Sequence, residues 1–470
     1  MTTIAPAAPT ITDTGARMSG SARAWAGFQG GRDPYITLIS IYIFMPYVAT
    51  VLVGDAVKGQ GLIAAYGFLG GLVAALTAPF LGAAADRMGR RKPALAAISL
   101  VFAPLVFALW WAKPNGAGLS VSTILLMTLL ISLLFTYGEV LHNSLITWSA
   151  RNARDAATMS GTALALGNIV SVAALVFVLW AFALPGKVHW SWVPAAPLFG
   201  LDPALGEPAR IAAPIAAVLL VIGVIPLLLF AQDAPRRSGG VGAALAGGAR
   251  DLAALVRSVR HHRDAAIFLA SRMLFADAQI ALIIFCGIYA AGVMHWGVLE
   301  MTAFGILMSS CAALGGLLSS VLDARLGSKR ALQVEIIGTI VGLVALLAVS
   351  PAGVRFVYTV AADTAPLWSG PVFTKSPELV FLAIGGIVAV FNTAIFASSR
   401  TLLTRLIPPG QSGAFFGLFA LSGTATVWLG PLAVQTAVST FHSQQAGNVA
   451  IAILMALGFI PLSLVRDNRP

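Results

Sequence analysis

Charge is scarce in this chain. Asp, Glu, Lys and Arg make up 10% of its 470 residues, against 58% that are hydrophobic, whereas a soluble globular chain carries about a quarter charged residues. That deficit leaves too little polar surface to coat a water-soluble body. The apolar runs are continuous and helix-length, which excludes the short alternating strands of a membrane barrel. Cysteine is nearly absent: Cys286 and Cys311 alone, both inside apolar runs, exclude a disulfide framework and are read as small apolar fillers. The six histidines form no His-Glu-x-x-His run and no cluster at metal spacing, so neither a metal site nor an intramembrane metalloenzyme is expected. A Walker-type phosphate loop is also missing, which argues against ATP as a driving force. No cofactor is expected, and the chain is not read as an enzyme. The first 24 residues lack the apolar core of a signal peptide and read as a disordered tail.

What the chain does contain is a series of membrane-length segments. A hydropathy window of about 19 residues marks twelve, at 35–54, 61–81, 93–112, 120–142, 160–184, 211–231, 266–290, 299–320, 331–350, 378–397, 413–435 and 447–465. With the N-terminus inside, the outer loops hold only Lys58, Lys113, Lys187, Arg210, Arg355 and Lys375 of the 29 lysines and arginines. Arg272 lies within a span and all the others fall on inner segments. The positive-inside rule then places both termini in the cytoplasm and the chain in the inner cell membrane. The net charge of +11 is thus a matter of topology, and no nucleic acid is expected as a partner. The layout is a tail at 1–31, a six-helix bundle at 32–231, a cytoplasmic linker at 232–265, a second six-helix bundle at 266–465, and a tail at 466–470. In the linker, Leu252, Leu255, Val256 and Val259 recur at helical spacing opposite Arg257, Arg260 and Arg263. This reads as an amphipathic helix lying on the bilayer.

The two halves share a motif. "LGAAADRMGRRKPAL" follows span two and "LSSVLDARLGSKRAL" follows span eight. Gly82, Asp86, Arg87, Gly89 and Arg90 of the first, with Arg325 in the second, read as a releasable latch. Its carboxylate faces the positive end of another helix. An ordinary inner-surface turn is the simpler alternative. Twelve spans as six plus six, a long central linker and "GAAADRMGRRK" together resemble the major facilitator superfamily. Three further stretches, "RAWAGFQGGRDPYITLISIYIFMPY", "SRMLFADAQIALIIFCGIYAAGVMHW" and "SSRTLLTRLIPPGQSGAFFGLFALSGTATVWLGP", are similar to its vacuole effluxer branch. That autophagy-related family is known for exporting amino acids from fungal vacuoles and has many bacterial members. The resemblance implies an all-α membrane protein of two six-helix bundles around a central cavity, lined mostly by spans one, four, seven and ten. It also implies access that alternates as the bundles rock.

Two charges stand inside span seven. At 1.5 Å per residue, Arg272 lies roughly 10 Å and Asp277 roughly 18 Å into the membrane. Five positions apart, they project away from each other around the helix. Ionisable groups at such depth commonly belong to ion or proton pathways. Asp277 and Glu139 of span four are therefore candidate protonation sites, and Glu139 is expected to meet Arg272 or Asp277 across the cavity. The structural alternative makes Arg272 a tie to a neighbouring helix and Asp277 the cap of a helix break. Arg272 could equally hold a substrate carboxylate. Asn143 and Asn392 are further candidates for substrate contact, and Arg32, Asp33 and Tyr35 read as a gate at the mouth of span one. The functional expectation is a secondary transporter of a small solute, an exporter of amino acids or related metabolites, with protons as the coupling ion, working as a monomer in the lipid bilayer. Sugars, peptides or organic acids as the solute, or a transport-dead receptor or scaffold, are the alternatives.

Overall fold

The computed structural model describes residues 18–88, 90–150, 153–233, 235, 257, 262–361, 364–406 and 412–466. The first bundle comprises α1 (Gly20–Leu52), α2 (Ala56–Met88), α3 (Lys92–Trp111), α4 (Val121–Ser144), α5 (Ala153–Val178) and α6 (Glu207–Phe230). The second comprises α7 (Arg263–Met294), α8 (Val298–Leu326), α9 (Ser328–Leu346), α10 (Ser376–Leu406), α11 (Ser412–Thr424), α12 (Leu429–Phe441) and α13 (Gln444–Leu464). Between α9 and α10 lies a small antiparallel meander of β1 (Val349–Ser350), β2 (Gly353–Val354) and β3 (Tyr358–Thr359). The amphipathic helix expected in the linker, Arg257 apart, lies outside the described residues up to 261.

Ten of the described helices are long and apolar enough to cross a membrane. The ninth and eleventh places are filled differently. Helix α9 carries Lys329, Arg330 and Glu335 within its 19 residues. The eleventh is broken into α11 and α12, of 13 residues each. Pro431 explains that break: it has no N–H to give the carbonyl four residues back, and its ring would clash there. Residues 425–428 form turns between the two halves.

Sequence and structure differ at the first helix. It begins at Gly20, not in the low thirties, and runs 33 residues. A hydropathy window discards "GSARAWAGFQGGR" because it is polar and glycine-rich. The glycines are what admit it to the bundle. A Cβ on Gly31 would come within 2.5 Å of the Leu219 carbonyl and 2.7 Å of Gly223 Cα on α6. Ser19 starts the helix by accepting the Ala22 N–H at 3.0 Å. Further along, Tyr35–Tyr42 and Val48–Leu52 are wound as wider π turns, which in helices often accompany functional positions.

A clasp fixes α1 to α4. Trp25 Nε1 donates to the His142 carbonyl at 2.8 Å, His142 Nε2 bonds the Trp25 carbonyl at 2.9 Å, and the two rings stack at 4.4 Å. Trp25→Phe, which keeps the stack and loses the indole donor, is expected to cost on the order of 1 kcal/mol. His142→Ala loses bond and stack together and is expected to cost more. Thermal unfolding in detergent checks both, and equal losses would refute the clasp.

Within the first bundle α1 packs on α5 and α6, and α2 on α4. In the second, α7 packs on α13 and α10 on both α8 and α9. The bundles meet where small residues let backbones approach. A Cβ on Gly287 of α7 would collide with the Ile41 carbonyl of α1, and one on Gly71 of α2 would lie 2.9 Å from Trp428 Cα. Gly67 faces Pro431, and the Phe68 and Trp428 rings sit 6.1 Å apart. Gln444 Nε2, at the start of α13, donates to Ala56 O of α2 at 3.2 Å and to Ile288 O at 3.4 Å. Ile41, Gly287, Ala56 and Gln444 all lie toward the helix ends remote from the chain termini.

Candidate functional site

A cavity of about 480 Å³ lies between the bundles. Its polar lining includes Asp33 and Thr37 on α1, Asn168 and Ser171 on α5, Ser309 on α8, Asn392 and Thr393 on α10 and Asn448 on α13. Tyr42, Tyr289, Phe304 and Phe381 form an aromatic part of the remaining, otherwise largely aliphatic wall. Asn392 and Asn448 are 6% and 3% exposed, and the Oδ1 atom of each is without a hydrogen-bond partner in the protein. Buried polar atoms are ordinarily bonded, which sets these two apart.

Of the gate candidates, Arg32 and Asp33 lie in the interior of α1, since the helix starts earlier than its hydropathy suggested. Asp33 lines the cavity and is held from both sides. Gln29 Nε2 donates to its Oδ2 at 3.0 Å, and Arg32 donates to its Oδ1 through Nη2 at 3.1 Å. The same Arg32 Nη2 is 3.9 Å from Glu139 Oε1, and the guanidinium covers the Phe135 ring at 4.9 Å. Tyr35 is buried in an aromatic cluster, 5.2 Å from Phe102 and 5.5 Å from Phe135.

The expected meeting of Glu139 with Arg272 or Asp277 does not occur. Glu139 pairs inside its own bundle, with Arg32. Its side chain is 45% exposed and, like exposed Asn143, it does not line the cavity. Arg272 and Asp277 are engaged by the broken eleventh helix. Arg272 Nη1 donates to Phe419 O and to Ser422 Oγ, both at 2.7 Å, and its guanidinium lies 3.5 Å from the centre of the Phe419 ring. Asp277 Oδ2 accepts the Gly430 N–H at 2.6 Å. The cation thus sits at the C-terminal, negative end of α11, and the carboxylate at the N-terminal, positive end of α12. Each charge matches the dipole it meets. Thr426, in the turns between, donates to Met273 O at 2.7 Å. Arg272 and Asp277, both on the apolar helix α7, thus meet the two halves of the broken one.

Of the latch residues, Gly89 lies outside the described residues, and Gly82, Asp86 and Arg87 are described in backbone only, at the end of α2. Arg90 and Arg325 are exposed. Beside them Asp233 caps α3: its carboxylate accepts the N–H groups of Arg91 and Lys92 at 2.9 and 3.0 Å.

The family profile described as vacuole effluxer Atg22 like matches residues 63–469. The chain belongs to that family. Among relatives of the effluxer family, autophagy-related protein 22 of Yarrowia lipolytica is 23% identical over 351 residues, 70% of this chain and 53% of its own length. Autophagy-related protein 22-2 of Emericella nidulans is 26% identical over 207 residues, 44% of this chain and 33% of its own. The chain thus spans about half or less of these relatives. Among solved structures, the nucleoside transporter NupG superposes with a TM-score of 0.63 at 15% identity, covering 95% of this chain and 98% of the other. A D-xylose–proton symporter gives 0.61 at 11%, covering 96% and 97%. At such identities the likeness is one of fold. This member of the effluxer family is a multi-pass membrane protein with the twelve-helix major facilitator fold, and the two solved structures named here are those of transporters.

For this effluxer-family chain the cavity lining differs from the expectation of spans one, four, seven and ten. Helices α5, α8, α9 and α13 contribute, and α4 does not. Asn168 carried the same signal as Asn392, an amide in the middle of an apolar run. Asn448 stands only four residues into α13, where a window places it at the span's edge.

Proposed function

We propose that the chain exports amino acids or related metabolites across the inner membrane by alternating access, with protons as the coupling ion, as a monomer with both termini in the cytoplasm. The observation that carries this reading is the cavity between the bundles, bounded by backbone contacts on the side remote from the termini. Its volume of about 480 Å³ falls in the ordinary range for small-molecule sites. The Asp33 carboxylate suits a substrate ammonium, the two unpartnered amides suit a carboxylate or further N–H groups, and the aromatic wall suits an apolar side chain. Arg32 is shared by Asp33 and Glu139, so protonating either carboxylate frees the guanidinium for the other. That gives substrate and proton a common counter-charge. Arg272 and Asp277, in this reading, hold the scaffold.

Counterflow into proteoliposomes loaded with a mixed amino-acid panel tests the proposal. Wild type is expected to exchange at least one panel member, and Asp33→Asn to lower that exchange on the order of tenfold, the worth of about 1.4 kcal/mol of lost charge-assisted bonding. Silence across the panel from folded protein would remove amino acids and turn the search to sugars, peptides and organic acids. The latch of Gly82, Asp86, Arg87, Gly89 and Arg90, with Arg325 in the second half, makes a separate claim. Asp86→Asn is expected to slow turnover while membrane insertion stays intact, and normal turnover in that variant would dispose of the latch.

A further inference from the structure

A buried carboxylate lies outside the cavity, where α8, α9 and α10 converge toward the chain-terminal side. Glu335 of α9 is 0% exposed. Its Oε1 lies 2.8 Å from Ser398 Oγ of α10, and its Oε2 has no hydrogen-bond partner in the protein. The same Ser398 Oγ lies 3.2 Å from Asp323 Oδ1 and 3.0 Å from Ser319 Oγ, both on α8. Ser398 and Ser319 are 0% and 2% exposed, whereas Asp323 is partly open at the end of its helix.

We propose that Glu335, Ser398 and Asp323 form a proton-binding site, with the proton held on Glu335 and the Ser398 hydroxyl as its wire to the surface. The geometry requires a proton beyond those of the serines. Ser398 has one hydrogen and two carboxylate oxygens within bonding distance. It can donate to one of them only, so the other must itself be an acid that donates to Ser398 Oγ; otherwise two acceptors face each other with nothing between. Glu335 is the group that must be neutral. It is fully enclosed, one of its oxygens is unpartnered, and an ionised carboxylate in that position has nothing to offset its lost hydration. No ion pair joins Glu335 or Asp323 to a cation among the described residues. The charged groups near this end of the three helices are Arg325 on α8, Lys329 and Arg330 on α9, and Arg400 and Arg405 on α10. Helix α13, which also packs on α9, contributes none.

Release runs as a relay. Glu335 passes its proton to Ser398 Oγ while Ser398 passes its own to Asp323, so one proton moves from the buried acid to the half-exposed carboxylate and no other bond changes. What remains is a buried negative charge between the three helices, which favours their separation. Protonation from the chain-terminal side would therefore bias how tightly this corner of the second bundle closes. The inference does not rest on the transport reading, because binding of a proton is measured without any solute.

Infrared spectroscopy of the full chain in lipid nanodiscs tests it through the carbonyl stretch of a protonated carboxylic acid. Near neutral pH the wild type is expected to show such a band, with Asp277, also buried with one oxygen unpartnered, free to add a component of its own. The Glu335 component is the one that wild type minus Glu335→Gln difference spectra isolate: Glu335→Gln should lose it and Asp323→Asn should keep it. Ser398→Ala should keep the band at equilibrium and slow its response to a pH jump. Absence of the band in wild type, an unchanged band in Glu335→Gln, or loss of the Glu335 component in Asp323→Asn would overturn the assignment. If the glutamine variant does not fold, Glu335→Asp retains the acid in a new setting, and an unmoved band would overturn the proposal equally.

Discussion

Gly287→Val is expected to abolish transport while leaving the chain folded and inserted. In the structure a Cβ at this position of α7 collides with the Ile41 carbonyl of α1 and lies 3.5 Å from the Pro46 ring. Backbone cannot swing aside as a side-chain end can. Within α7 itself valine is no burden, since glycine is the poorer helix former by several tenths of a kcal/mol. The penalty therefore falls on the approach of α1 to α7, which belong to opposite bundles. Overpacking of this kind costs about 1–3 kcal/mol, and more where backbone is involved. A loss of about 2.8 kcal/mol in the closed state lowers its population on the order of a hundredfold. Uptake should fall accordingly, and spin labels placed on the loops remote from the termini should report a longer separation. Gly161→Val in α5 is the control, because a Cβ there meets nothing within 4 Å. Wild-type turnover in Gly287→Val would show that the closure between α1 and α7 is not part of the cycle.

Asp277→Ala is expected to destabilise the fold by about 2 kcal/mol, and Asp277→Asn by well under 1 kcal/mol. The alanine leaves the Gly430 N–H unpaired at the start of α12, in the membrane interior. Loss of a helix cap costs about 1 kcal/mol, and an unsatisfied buried donor about 1–3 kcal/mol. Asparagine keeps a carbonyl oxygen on the same stem and so keeps the cap, losing only its charge against the helix dipole, about 0.3–1 kcal/mol. The pair of variants separates two roles that the sequence alone left open. A cap tolerates asparagine in both stability and the pH dependence of transport. A protonation site does not: Asp277→Asn would then transport without regard to pH while unfolding normally. Thermal unfolding together with transport at several pH values decides between them.

Most of the helices were legible because bilayer thickness imposes a length on each span. That is a property of a single segment. The start of α1 was not, since "GSARAWAGFQGGR" is apolar enough only for a helix already surrounded by protein. Its backbone contact with Gly223 exists only after α6 has packed. The partners of the buried charges were misread for a related reason. Depth along a helix follows from counting residues, but rotation about its axis and the integrity of its neighbours do not. Glu139 turned toward Arg32 because α1 was deeper than expected. Arg272 and Asp277 turned toward the eleventh helix because it was not whole. Gly430 and Pro431 stand at that break, and Asp277 Oδ2 accepts the Gly430 N–H there.

The cut in the eleventh helix divides mechanical allegiance. Its first half is moored by Arg272 to α7, within its own bundle. Its second half, held to its own bundle by Asp277 and α13, also lies along α2 of the opposite bundle, where Gly67 and Gly71 bring backbone against Pro431 and Trp428. An unbroken rod joined to both would have to tilt as one piece when the bundles part. Two 13-residue levers with four turn residues between them can swing separately, so the outer one can lean with the first bundle while the inner one keeps station. The seam would then behave as a universal joint, with the Asp277 and Thr426 bonds as its bearings.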